Sequence, residues 1–125
     1  MIVAPAPTVD VLIVDDQAPF RSVARTLVGR LAGWRVVGEA VSGEEALAAA
    51  AATRPRIVLM DINLPGINGI EATRRLLQAD PDTAVVLLST YGRDDLPPEA
   101  ATCGAVAYVH KGDLTPALLR GLVPT

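Results

Sequence analysis

The chain has 125 residues, half of them hydrophobic but only four aromatic, and a formal net charge of −3. A chain of this length makes one domain that buries roughly two-thirds of its unfolded surface, here around an aliphatic core of Val, Leu, Ile and Ala. The acidic balance gives no basic field and argues against direct nucleic-acid binding, while the single cysteine, Cys103, excludes an internal disulfide and fits a reducing, cytoplasmic setting.

Residues 1–8 open with Met1-Ile2-Val3-Ala4-Pro5-Ala6-Pro7, which has neither a basic n-region nor a long apolar stretch, and are expected as a disordered lead. The longest apolar run, Ala46 to Ala52, is mostly alanine and too short to span a bilayer, so no membrane segment is expected. Val9–Val14 is the first of five short apolar runs; the others are Trp34–Ala40, Ile57–Met60, Ala84–Ser89 and Ala105–His110. Several are continuous rather than alternating, the pattern of parallel strands covered on both faces.

Helix patterns lie between the strands. Phe20, Val23, Ala24, Leu27, Val28 and Leu31 form one apolar stripe, with Pro19 in the first turn, where its missing N–H costs nothing. Ser42-Gly43-Glu44-Glu45 is a capping box that opens an alanine-rich helix ending before Pro55. Asn68 caps a third helix carrying Ile70, Leu76 and Leu77, which stops before Pro81. A short fourth is expected over about Leu96 to Cys103, with Pro97 and Pro98 in its first turn and Gly104 as its stop. The fifth begins at Asp113 or Thr115 and runs to about Leu122. The fold class is therefore α/β: a doubly wound (βα)₅ parallel sheet of order 2-1-3-4-5, over residues 9–122, with 123–125 as a tail.

In that order the first and third strands are neighbours, and their carboxyl ends carry Asp15-Asp16 and Asp61 at the switch point where open sheets bind ligands. Crowded carboxylates either take protons or recruit a cation. Mg²⁺ suits them, with Asp16 and Asp61 as direct ligands, the Asn63 carbonyl as a third, and Asp15 acting through water or orienting the site. Lys111 is the one lysine beside ten arginines, and it follows the last strand. It supplies a compact point charge where a planar guanidinium fork fits poorly. Asp61 could attack a phosphoryl group whose charge the metal and Lys111 neutralise, with Ser89 donating its hydroxyl to a third oxygen.

Four segments carry a resemblance: Val14-Asp15-Asp16, Met60-Asp61-Ile62-Asn63-Leu64-Pro65-Gly66, Leu88-Ser89 and Tyr108-Val109-His110-Lys111. From Val9 to Leu122 the chain resembles the receiver domain of two-component response regulators. The resemblance implies that Asp61 takes a phosphoryl group from a histidine kinase, with Mg²⁺ held by Asp15 and Asp16. It further implies that Ser89 moves toward the phosphoryl group and Tyr108 turns inward, altering the face built by the fourth helix, fifth strand and fifth helix. A downstream protein target or a fused output domain would read that face, and a homodimer could form through it. Gly112-Asp113 after Lys111, in place of a proline, is similar to the subgroup often joined to helix-turn-helix DNA-binding domains. No such domain follows Leu122, as expected for a stand-alone receiver or one excised from a longer regulator.

The sequence departs from the family pattern at Pro97-Pro98, which shortens or shifts the fourth helix, and at Asn68, where an acid is common and a capping role is expected. Thr90 is the alternative to Ser89. His110 is expected as a partly exposed surface histidine on the same face as Tyr108, Cys103 as small-residue packing, and Arg74-Arg75 as a solvated face. The domain is expected to catalyse only its own phosphorylation and dephosphorylation. Two other readings are a receiver-like binding module that does not use phosphorylation, and a Mg²⁺-dependent phosphatase. The latter wants two aspartates one residue apart after the first strand, whereas Asp15 and Asp16 are adjacent.

Overall fold

Strand residues in a pleated sheet point alternately to opposite faces, and in this chain both faces are apolar. In the computed structural model, which describes residues 8–90 and 96–122, the strands are β1 (Val9–Val14), β2 (Trp34–Ala40), β3 (Ile57–Asp61), β4 (Ala84–Ser89) and β5 (Ala107–His110). They pair in parallel in the order β2-β1-β3-β4-β5, as expected. The expected lead, apart from Thr8, and the tail 123–125 lie outside the described residues.

Two cores follow from the alternation. Val11, Ile13, Ile57, Leu59, Val86 and Leu88 pack with α1 (Ala18–Gly29) and α4 (Pro116–Leu122) on one face. Leu12, Val14, Val58, Met60, Val85 and Leu87 pack with α2 (Gly43–Thr53) and α3 (Gly69–Ala79) on the other. The central strands are sealed on both sides, so Leu12, Ile13, Leu59, Met60 and Leu87 have no solvent contact. Few aromatics are needed because layers of branched aliphatics fill the spaces between sheet and helices.

The expected caps form. Ser42 Oγ accepts from Glu45 N at 3.1 Å, Asn68 Oδ1 from Glu71 N at 2.9 Å, and Thr115 Oγ1 from Leu118 N at 3.1 Å. Each satisfies a first-turn N–H that has no partner within its helix. Arg54 ends α2 in the left-handed conformation before Pro55. Arg74 and Arg75 pair with Glu71 on the outer face of α3, and Cys103 is buried, as expected.

Three expectations need correction. Val23 belongs to the apolar stripe of the first helix by spacing, yet it is 51% exposed. Ala24 and Val28 carry the buried contact, and Val23 lies at the stripe's solvent edge. The fourth helix is a single 3₁₀ turn, Pro98–Ala101, rather than an α-helix from Leu96 to Cys103. Pro97 is held extended at ψ 139° and Pro98 has no N–H, so only short bonds such as Ala100 N to Pro97 O form. The fifth strand starts at Ala107 rather than Ala105. Gly104, at φ 100°, turns the chain there, and Val106 N bonds Val85 O before the regular ladder begins.

Candidate functional site

The parallel sheet delivers five candidate side chains to the carboxyl ends of its strands. Asp15 and Asp16 follow β1, Asp61 closes β3, Ser89 closes β4, and Lys111 follows β5. One carboxylate oxygen from each of Asp15, Asp16 and Asp61 can be chosen so that all three lie within 4.8 Å of one another. Lys111 Nζ stands 2.6 Å from Asp15 Oδ2 and 3.4 Å from Asp61 Oδ2. Asp15 Oδ2 makes no hydrogen bond of acceptable angle, but at 2.6 Å the contact is an ion pair, since an ammonium acts mainly as a point charge. The acids and the ammonium thus meet in one pocket.

Asp15 is the buried member of the acid pair, 1% exposed, while Asp16 faces solvent. Two further contacts fix Asp15: its Oδ1 accepts from Gln17 N at 2.8 Å, and its carbonyl accepts from Arg21 Nη1 at 2.7 Å. Arg21 is held in turn by Glu39 on β2, 3.1 Å away. On the other strand, Asn63 N donates to Asp61 Oδ1 at 3.3 Å. Burial raises the Asp61 carboxyl above the usual range and the neighbouring Asp15 charge adds to the rise; Lys111 and the Asn63 N–H oppose it. Three acids facing one ammonium leave the pocket with excess negative charge, which a cation would relieve.

The loop after Asp61 is packed against two helix starts. Gly69 begins α3 so close to β3 that a Cβ there would lie 2.1 Å from the Asp61 carbonyl oxygen. Glu44, in the first turn of α2, accepts from Ile67 N at 2.8 Å. A cleft of about 450 Å³ between α2 and α3, lined by Leu47, Arg54, Arg75 and Leu76 among others, shares no residue with the acid cluster.

Ser89 is fully buried whereas Thr90 is exposed. The Tyr108 hydroxyl oxygen is buried. It has no well-formed hydrogen bond, although Ser89 interacts with it; burial raises its pKa and the Ser89 interaction works against that rise. Its ring lines a cleft of about 380 Å³ with Leu96, Pro97, Pro98 and Ala100. His110 is exposed, as expected, but both ring nitrogens are engaged: Nδ1 accepts from Gly112 N at 3.0 Å and Nε2 lies 3.1 Å from Thr90 O. The ring therefore carries its proton on Nε2 in the neutral form.

A family model for the response regulator receiver domain matches residues 11–121. The chain belongs to that family. Among related proteins, the receiver is 42% identical over 102 residues to the response regulator GacA of Pseudomonas protegens, covering 82% of this chain and 48% of that protein. The chain thus spans about half the length of the curated relatives it matches. Among solved structures, a LuxR-family two-component response regulator from Aurantimonas has a TM-score of 0.81 at 36% identity, covering 91% of this chain and 81% of that one. The response regulator domain of Thermotoga maritima CheB has a TM-score of 0.79 at 31% identity, covering 92% and 93%. The chain is the receiver domain of a two-component response regulator, and the pocket of Asp15, Asp16 and Asp61 is consistent with its phosphoacceptor site.

The acid triad is typical of a receiver Mg²⁺ site, and receivers are typically signalling modules rather than turnover enzymes. No helix among the described residues is long and apolar enough to cross a membrane. Sequence reasoning missed the supporting residues Gln17, Arg21, Glu39, Glu44 and Gly69. It placed Phe20 only in a helix stripe, yet its ring centroid lies 4.6 Å from Lys111 Nζ. Phe20 and Arg21 sit just after the acid pair, and that adjacency is the one signal that could have found them.

Proposed function

We propose that Asp61 is the phosphoryl acceptor of this receiver, that Asp15, Asp16, Asp61 and the Asn63 carbonyl hold Mg²⁺, and that a histidine kinase is the donor. The observation that carries the reading is the position of Asp61: its carboxylate is gathered with two other acids and lies 3.4 Å from the Lys111 ammonium. The donor set is all oxygen and mostly anionic, which suits a hard cation that keeps part of its water. When bound, Mg²⁺ supplies positive charge to the carboxylates and to the phosphoryl oxygens.

In the transfer, one Asp61 oxygen bonds phosphorus as the donor's P–N bond breaks, and the electron pair leaves with the imidazole, which takes up a proton. The Asn63 N–H holds the other edge of the carboxylate and so fixes its rotation. Lys111 donates to a phosphoryl oxygen, and its link to Asp15 keeps the ammonium at the pocket before phosphate arrives. Ser89, buried at the end of β4, is the hydroxyl that answers the phosphoryl group, and Tyr108 is the ring that repacks with it. Loss of the phosphoryl group is likewise catalysed by the domain itself, on residues 9–122. The altered face, which contains Tyr108, β5 and α4, is read by a downstream protein or by an output domain of a longer regulator. A helix-turn-helix DNA-binding domain and homodimerisation through that face both fit this reading.

The test is intact mass after incubation with Mg²⁺ and acetyl phosphate. One phosphoryl group per chain is expected, with none added when chelator replaces Mg²⁺ and none in Asp61→Asn. An unchanged mass of the parent protein would overturn the reading and favour a binding module that does not use phosphorylation.

A further inference from the structure

Lys111 Nζ has three neighbours in the pocket: Asp15 Oδ2, Asp61 Oδ2 and the face of Phe20, whose centroid is 4.6 Å away. Phe20 lies in the first turn and a half of α1, packed at the margin of the core on that face of the sheet. The helix therefore brings the ring to the ammonium, and no other ring approaches Lys111 among the described residues. Lys111 is 13% exposed, so water competes weakly for the charge.

We infer that Phe20 is a positioning residue for phosphoryl transfer: its ring face holds the Lys111 ammonium at the acid pocket by a cation–π contact. The inference rests on the phosphoacceptor reading of Asp61. A carboxylate in place of the ring would attract the ammonium too, but its lone pairs would compete with a phosphoryl oxygen for the three N–H donors. A ring attracts the charge through its quadrupole and leaves those donors free to turn toward the phosphoryl group. An aliphatic side chain of similar size would fill the space without the attraction. In that case the flexible four-carbon stem of Lys111 loses a restraint, and the ammonium is less often at the phosphoryl oxygen.

The experiment replaces Phe20 with phenylalanine carrying one, two and three ring fluorines, which withdraw charge from the ring face while nearly preserving its shape. Phe20→Leu and Phe20→Tyr are made alongside. Affinity for beryllofluoride in saturating Mg²⁺ is measured by titration calorimetry, and Mg²⁺ affinity is measured separately. Beryllofluoride affinity should fall stepwise with each fluorine, reach about a three- to tenfold loss in Phe20→Leu, and return in Phe20→Tyr. Mg²⁺ affinity should stay within about twofold, because the acids rather than the ring bind the ion. A flat fluorine series, or equal losses in both affinities, would overturn the inference and leave Phe20 as packing alone. A parent protein that binds no beryllofluoride, or an Asp61→Asn variant that binds it equally well, would instead overturn the phosphoacceptor reading and this inference with it.

Discussion

Gly69→Ala separates two opposed effects at the edge of the site. At the start of a helix, with ordinary backbone angles, alanine should help: it reduces unfolded-chain freedom by about 0.4–1 kcal/mol and has the better helix propensity. Gly69, however, abuts backbone. Its Cβ would lie 2.1 Å from the Asp61 carbonyl oxygen and 2.9 Å from Asp61 C and Ile62 Cα, whereas ordinary contacts begin near 3.4 Å. The atoms it meets cannot rotate away as a side chain could. Relief needs a displacement of about 1 Å between α3 and the Asp61 loop, which also strains the 2.9 Å bond from Gly69 N to Ile62 O. Overpacking of that kind costs about 1–3 kcal/mol, at or above the expected gain. The clash therefore wins, with a net loss of about 1–2 kcal/mol in urea unfolding. Because the moved group is the backbone of Asp61, phosphorylation by acetyl phosphate should slow by about tenfold to a hundredfold even where the variant is fully folded. A variant as stable as the parent, or more so, with an unchanged labelling rate would refute the close-approach reasoning.

The charge excess of the pocket makes two further predictions, both for protein in chelator. Asp61 has a raised carboxyl pKa in the folded state, so its ionisation costs stability as pH rises from the ordinary carboxylate range through that raised value. Asp61→Asn removes the cost, and its advantage in urea midpoint over the parent should be larger at pH 7 than at pH 4; an advantage that shrinks with pH would contradict the sign. Lys111→Ala acts the other way, leaving the largely buried Asp15 and Asp61 without their counter-charge. It should lower stability at pH 7 by about 1–3 kcal/mol, less than for a sealed ion pair because the exposed Asp16 shows that the pocket opens to water. With Mg²⁺ restored, the same variant should label with acetyl phosphate at a small fraction of the parent rate, as followed by intact mass.

The fold was legible because its signals are local and repeated. Strand runs such as Val9–Val14 and Ala84–Ser89 end where the sequence breaks into acids or turn residues, and Ser42, Asn68 and Thr115 announce their helices by cap chemistry. The acids were legible for the same reason, since a parallel sheet gathers strand ends at one edge. What was not legible depends on non-local distances. The spacing that includes Val23 in an apolar stripe cannot say how wide a stripe the sheet covers. Pro97-Pro98 warned of a short fourth helix, but not that Pro97 would be held extended, which leaves only a single 3₁₀ turn over Pro98–Ala101. The struts around the site, Arg21 to the Asp15 carbonyl and Glu44 to Ile67 N, join elements whose approach no motif encodes.

The central claim is that a carboxylate at the end of β3, gathered with the β1 acids and Lys111, accepts the phosphoryl group. Borohydride reduction tests it most directly, because an acyl phosphate is reduced to the alcohol while a free carboxylate is not. After labelling with acetyl phosphate and Mg²⁺, peptide mapping should find homoserine at position 61 and nowhere else. Homoserine at another aspartate, or labelled protein in which position 61 remains aspartate, would contradict the account.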